Sequence, residues 1–444
     1  MSAGERRRAT RPVRRVVDGV RPALSPAADE RLIWLLGLGA LGLAWPTATV
    51  AAYLPPVLHR FTDSDAVIGA VLASEGLFAI FVPLAIGPLS DATRTPLGRR
   101  RPYMALALLP LAVPVALLGS LDSLAVTTLL LFVFYFGNYV YEPPWRGLYA
   151  DLLPLEVAGR GQASSHVMRG IAMAGALVGG GLALDAWQPA PFLVAAVVAG
   201  LACGVVVAAV READDHRGAG RRVHDGRKHL AAPWRLVRRD ANVRAFLLAN
   251  AAWETAFAGM RTFVVLAIVD GFGQSLAVSS AVLAVVTVGY AIAAVALGPF
   301  ADRIGVGRVI LVASTIYGLG LFGAGFATRW HDWYYAVVLV VAVAAGAVMT
   351  LAWALLFKVM PERDQGAATG LALATRGIGL LVGPPLVGLS IDWLEPLFEQ
   401  TDGYGVVWPA VSLPVLAAVP LVARLARVER ERTAAAAREH PPTA

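Results

Sequence analysis

Cysteine and lysine are almost missing from this chain of 444 residues. Cys203 is the only cysteine and lies inside an apolar run, which excludes a disulfide framework and a cysteine-based metal site and leaves packing as its role. Lys228 and Lys358 are the only lysines, and neither follows a glycine, so there is no Gly-Lys phosphate loop and no ATP-driven transport by this chain alone. His-Glu-x-x-His, a nucleophile elbow and paired intramembrane aspartates are all absent, so neither an enzyme nor a cofactor or metal is expected. Charge is scarce as well, at 16% of residues against 57% hydrophobic. Soluble domains use roughly 45–50% apolar residues, and the excess here marks a membrane protein. A formal charge of +7 would suggest nucleic acid in a soluble chain. Here it comes from arginines in tails and loops on one side, so no nucleic-acid partner is expected.

What the chain has instead is a series of apolar runs of roughly 20 residues, each long enough to cross a bilayer. Six occur at 32–54, 67–88, 103–119, 124–148, 165–184 and 192–210. Six more occur at 243–269, 276–299, 308–327, 334–357, 367–389 and 406–423. The first is too long for a secretory h-region, so no cleaved signal is expected. The organisation is therefore a disordered basic tail at 1–31, a six-helix bundle at 32–210, a polar linker at 211–242, a second six-helix bundle at 243–424 and a tail at 425–444. Charge sets the orientation. With even connections in the cytoplasm, Arg94 to Arg101, Arg160, the block 211–244, Arg303, Arg308, Lys358 and Arg363 lie inside with both tails. Only Arg60 and Arg329 fall in outside loops, which otherwise hold acids such as Asp63, Asp65, Asp122, Asp270, Asp392 and Asp402. That is a strong positive-inside pattern for a multi-pass protein of the cell membrane with both termini cytoplasmic.

The stretch 87–104, GPLSDATRTPLGRRRPYM, joins two of these runs. Gly87 permits close helix approach where the run ends, and Asp91 follows one turn later. Arg94, Arg99, Arg100 and Arg101 crowd the loop, and Pro102 restarts a helix whose first amide needs no partner. An acid facing several guanidiniums can act as a latch made in one conformation and broken in another. The loop has an echo at 298–308, GPFADRIGVGR, with Gly298, Asp302, Arg303 and Arg308, and two copies half a chain apart imply two homologous halves.

These loops resemble the loop between helices two and three of the major facilitator superfamily and its weaker copy between helices eight and nine. In the first copy Gly98 stands seven residues after Asp91, a spacing similar to that of sucrose transporters and the wider glycoside-pentoside-hexuronide cation symporters. Pro144, Arg146, Leu148, Ala150, Asp151 and Leu152 resemble the Pro-x-Arg-x-Leu-x-Ala-Asp-Leu that closes helix four in sucrose transporters. The superfamily resemblance covers nearly the whole chain and implies an all-α membrane protein, twelve transmembrane helices in two pseudo-symmetric bundles. Ala92 departs from the family's usual Arg, and Tyr135 stands where sucrose transporters carry an acid, a role that Glu142 two turns on can take.

An ionisable group in a spanning helix costs at least roughly 2.5 kcal/mol by insertion scales, so each is a functional candidate. Glu142 and Arg146 share a helix face around Pro143 and Pro144; a carboxylate that takes up a proton weakens such a pair, which couples protons to movement. A static pair near the cytoplasmic end is the alternative. Glu254 and Arg261, seven apart beside Trp253, offer donors, acceptors and a flat face for a sugar, or else an interhelical salt bridge with an interfacial Trp. Glu75 is a second cation ligand or a buried hydrogen-bonded acid. In cation symporters of the resembled branch, acids on helices two and four hold the cation, and Glu75 with Glu142 is similar by helix. Arg169-Gly170 and Arg376-Gly377 occupy corresponding places in helices five and eleven, as cavity donors or as carbonyl ligands near the cytoplasmic ends. Asn138 and Tyr135 are further cavity candidates. Gly175, Gly179, Gly180, Gly181, Gly379 and Gly383 read as close helix contacts.

The expected function is secondary active transport by alternating access, with proton-coupled symport of a sugar or glycoside as its form, by a monomer in the lipid bilayer. Sodium is the other candidate ion. A proton-coupled exporter of drugs or secondary metabolites is the first rival, and a non-transporting receptor or scaffold is the rival from another class.

Overall fold

A computed structural model of the chain describes residues 26–153, 158–212, 237–359 and 365–439. The first 25 residues, most of the linker and the last five residues lie outside the described residues, as do Gly298 and the side chains of Asp91 and Asp302. Twelve long helices follow one another: α1 Pro26–Leu58, α2 Asp65–Ala92, α3 Arg101–Leu118, α4 Leu124–Leu152, α5 Ala158–Ala186, α6 Ala190–Ala209, α7 Ala241–Leu266, α8 Leu276–Ile304, α9 Val306–Ala324, α10 Tyr334–Val359, α11 Gln365–Leu394 and α12 Val407–Glu439. Each is long and apolar enough to cross a membrane. In hydrocarbon a backbone must satisfy its own hydrogen bonds, and an unbroken helix does so. The chain is thus a multi-pass membrane protein.

Local signals set several helix starts. Ser64, Asp240 and Ser275 are N-caps whose side chains accept from the amides of Val67, of Asn242 and Val243, and of Val278. Proline pairs lie inside α1, α4 and α11, where neighbouring helices compensate for the missing donors. Gly98 and Gly305 adopt left-handed φ of 99° and 98° just before α3 and α9. A side chain strains this backbone. The two connections differ in length, residues 93–100 against Gly305 alone, but each turns into its next helix through a left-handed glycine.

The packing repeats in the same way. In the first half α1 lies on α5 and α6, α3 on α4 and α6, and α2 on α4. The second half repeats every one of these pairs: α7 on α11 and α12, α9 on α10 and α12, α8 on α10. Across the halves the contacts are α2 with α11, α5 with α8, and α1 with α7, which is the set a pseudo-twofold axis generates.

These cross-half contacts concentrate at the end of the bundle opposite the chain tails, hereafter the far end. A Cβ on Gly388 would meet the backbone of Asp65, one on Gly69 the backbone of Pro384, and one on Gly181 the Ser280 hydroxyl. Asp392 at the end of α11 accepts from the first amides of α2, Asp65 at 2.9 Å and Ala66 at 3.2 Å, and from Ser64 Oγ at 2.7 Å. Tyr53 Oη of the first half stands 3.5 Å from Ser280 Oγ of the second. At the tail end a Cβ on Gly87, which lies on the same face of α2 as Gly69 and Gly76, would meet nothing within 4 Å. The bundle is closed at the far end and parted at the tail end.

That asymmetry corrects one expectation. Gly175, Gly180, Gly181, Gly379 and Gly383 do sit at tight contacts, but a Cβ on Gly87 or Gly179 would meet open space. Gly87 lies on the stretch of α2 that faces the parting of the halves, so no helix approaches it in this conformation.

Candidate functional site

The sequence places ionisable residues on five helices, and the fold brings them together midway along the bundle. Glu75 on α2 is 2% exposed at its side chain and pairs with Arg261 on α7 at 2.5 Å. Tyr139 on α4 donates to the other Glu75 oxygen at 3.2 Å. The pair joins the two halves. Tyr135, one turn before Tyr139, is buried with Phe78 and Phe134 around it and lies in the field of both Glu75 and Arg261. Of the two readings open for Arg261, an interhelical salt bridge is what the structure contains, but to Glu75 and not to Glu254.

Towards the tail end, Arg146 reaches Glu142 with two donors, at 2.9 and 2.6 Å. The Glu142 side chain is 17% exposed and that of Arg146 50%, so this pair meets the opening while Glu75 does not. The Arg146 guanidinium also stands 5.6 Å from the Trp145 ring, a distance at which a cation is attracted to the ring face. Arg169, Glu254 and Arg376 are half-buried between the two pairs. Arg169 lies in the field of Arg376 and Glu142, and Arg376 in that of Tyr139, Glu254 and Glu142. Buried polar atoms without a protein partner among the described residues include Asn138 Oδ1, Arg261 Nε and Trp253 Nε1. Trp253 itself is fully buried. Such a lining, hydrogen-bonding groups converging among aromatic side chains, is what a small polar molecule requires.

The tail-end loop is built separately. Arg99 and Arg100 each reach Asp151 at 2.5 Å, and the Arg101 guanidinium donates to the Val207 carbonyl at 2.9 Å. Arg94 is exposed, as are Arg303 and Arg308 in the second copy. A Cβ on Gly147 would fall onto the Arg100 guanidinium. Glu212, just beyond α6, accepts from the amides of Arg99, Arg100 and Arg101, each at 2.9 Å. Its counterpart is Glu429 on α12, which accepts from Val306 and Gly307 at the start of α9, at 3.1 and 2.6 Å, and pairs with Lys358 at 3.4 Å. In each half an acid on or just beyond the last helix thus holds the positive N-terminal end of the third. Sequence reasoning missed Glu212 and Glu429, although a signal exists: each stands three residues after an alanine at corresponding ends of the halves, Ala209 and Ala426.

The Asp151 carboxyl is held below its ordinary value. Burial alone would raise it, and the hydrogen bonds and charges of Arg100 and Arg99 outweigh burial. A group with a depressed folded value contributes its full stability above its unfolded value, about 3.9, and loses it as pH falls through the folded one. Asp151→Asn should therefore lower the melting temperature by the same margin at pH 6 and pH 8, with the gap to wild type narrowing only as pH falls below about 4. A gap that changes between pH 6 and 8 would assign the titration to another group.

A family model described as Major Facilitator Superfamily matches residues 35–267 and 255–443. The gallate transporter of Pseudomonas putida is 30% identical over 161 residues, 36% of this chain and 34% of that protein, so the match spans about a third of its length. The class C tetracycline resistance protein of Escherichia coli is 25% identical over 81% of this chain and 89% of its own. Among solved structures, a D-xylose-proton symporter superposes with a TM-score of 0.68 at 14% identity, covering 88% of this chain and 96% of that one. The nucleoside transporter NupG gives 0.69 at 13% identity, over 89% and 98%.

Proposed function

The chain belongs to the major facilitator superfamily, and from that premise we propose that it is a proton-coupled symporter of a sugar or glycoside in the cell membrane. Membership makes it a membrane transporter of small molecules and not an enzyme. The finer reading rests on one observation above all: a Glu142–Arg146 pair set at the open end of a charged, otherwise enclosed cluster. A proton taken up by Glu142 removes the charge that holds Arg146, and the freed guanidinium becomes available to substrate or to the other half. Under the positive-inside reading the tail end is cytoplasmic, and the conformation described is open to the cytoplasm and closed outside. A monomer suffices for this, since the clustered charges all belong to one chain.

The test is pH recording in an unbuffered suspension of expressing cells as sucrose, maltose and other glycosides are added singly. Alkalinisation with one sugar, absent in Glu142→Gln while exchange of labelled sugar persists, is the expected result. Unchanged accumulation in Glu142→Gln would remove this carboxylate from coupling. The similarity to tetracycline resistance proteins along most of the chain favours a second reading, proton-coupled export. Acidification on addition of a lipophilic drug, with no response to any sugar, would select it.

A further inference from the structure

Charge does not balance in the central cluster. Four guanidiniums, of Arg146, Arg169, Arg261 and Arg376, share it with three carboxylates, of Glu75, Glu142 and Glu254. Two arginines are already matched, Arg261 by Glu75 and Arg146 by Glu142. Arg169 and Arg376 remain, and among the described residues neither has a carboxylate or a carbonyl within bonding distance. Glu254 acts on Arg376 only through space. The two guanidiniums stand in each other's field, and like charges at a site screened from water repel strongly. The positions are also repeat-related, one on α5 and one on α11, and so come from opposite halves.

We infer that the transported molecule is an organic anion, and that its single carboxylate is held between Arg169 and Arg376. One negative charge cancels the surplus of four cations over three anions. A carboxylate bridging two arginines from opposite halves ties the halves together, so the substrate itself supplies the attraction for closure at the parted end. Resting on the sugar reading, this narrows the cargo to sugar acids; a neutral sugar would leave both arginines unmatched.

The purified protein is titrated with galacturonate, galactose and benzoate, following thermal stabilisation and then counterflow in proteoliposomes. Galacturonate should bind, galactose at least tenfold more weakly, and Arg169→Gln or Arg376→Gln should weaken galacturonate by on the order of 10- to 100-fold, the loss of one charge-assisted hydrogen bond. Arg60→Gln, at an exposed far-end ion pair, should change nothing. Where a Gln variant fails to fold, the Lys variant, which keeps the charge and loses the fork, is used and should weaken binding several-fold. Benzoate bound through the arginines without galacturonate would keep the clamp and overturn the sugar reading. Galactose and galacturonate bound alike, with no effect of the substitutions, would overturn the clamp and leave the sugar reading standing. No response to either carboxylate overturns the clamp outright.

Discussion

Replacing Arg261 by Gln should abolish transport and sharply lower the yield of folded protein, whereas Glu75→Gln combined with Arg261→Gln should restore folding and leave transport abolished. The Glu75 side chain is 2% exposed, and Arg261 is its closest cation at 2.5 Å. Removing one partner of a buried pair costs about 3–5 kcal/mol because the other charge is stranded. In the double variant two neutral amides occupy the site, and Tyr139 keeps an acceptor in place of the carboxylate oxygen. Thermal unfolding in detergent across the four proteins closes a double-mutant cycle, with an expected coupling of about 1–3 kcal/mol. Equal stability of the single and double variants would mean that the pair does not hold the halves together. Transport is lost in both because the pair crosses between halves that must rotate against each other, and amides supply no charge to steer that exchange.

The second large effect is conformational. Gly388→Val should hold the transporter open at the far end, because even the first added carbon meets the backbone of Asp65 and backbone cannot turn aside as a side chain can. Gly69→Val, against the Pro384 carbonyl, should act in the same sense. The readout is a cysteine placed at Ser280, which is 3% exposed and lies 3.5 Å from Tyr53 Oη within the closed contact. Cys203 is fully buried, so the native thiol gives little background. Reaction of Ser280→Cys with a membrane-impermeant maleimide should quicken by at least about tenfold in the Gly388→Val protein, a shift of roughly 1.4 kcal/mol towards the opened state. An unchanged rate would show that α2 and α11 close without needing glycine there.

What could be read from the sequence divides by distance along the chain. Spanning segments were legible because each depends only on about 20 neighbouring residues, and the structure places a helix on every one of the twelve runs. The Glu142–Arg146 pair was legible for the same reason, since residues four apart face each other on any helix. The duplicated loop gave the repeat, and the equal left-handed glycines Gly98 and Gly305 extend it to conformation. Long-range partners were not legible. Spacing put Arg261 on one face with Glu254, but helix rotation in the packed bundle delivers it to Glu75, 186 residues earlier. Asp151 was noted within a motif, yet nothing in the spacing tells that two arginines from a loop 51 and 52 residues away would converge on it. Packing of several helices decides these pairings, and one helix's periodicity carries no information about it.

The acceptance of two α2 amides by Asp392 has a consequence for how the protein is made. These amides belong to Asp65 and Ala66, and their acceptor is 327 and 326 residues further along. When α2 enters the membrane, Ser64 can serve only the amide of Val67. The two amides must then rely on water at the bilayer edge through the synthesis of nine further helices, until α11 brings Asp392 to them. A cap of this kind is worth about 0.5–2 kcal/mol, and here it becomes available only near the end of translation. A ribosome stalled before α11 would hold a first half whose second helix still frays at the membrane surface, and completion of the chain is the event that fastens it.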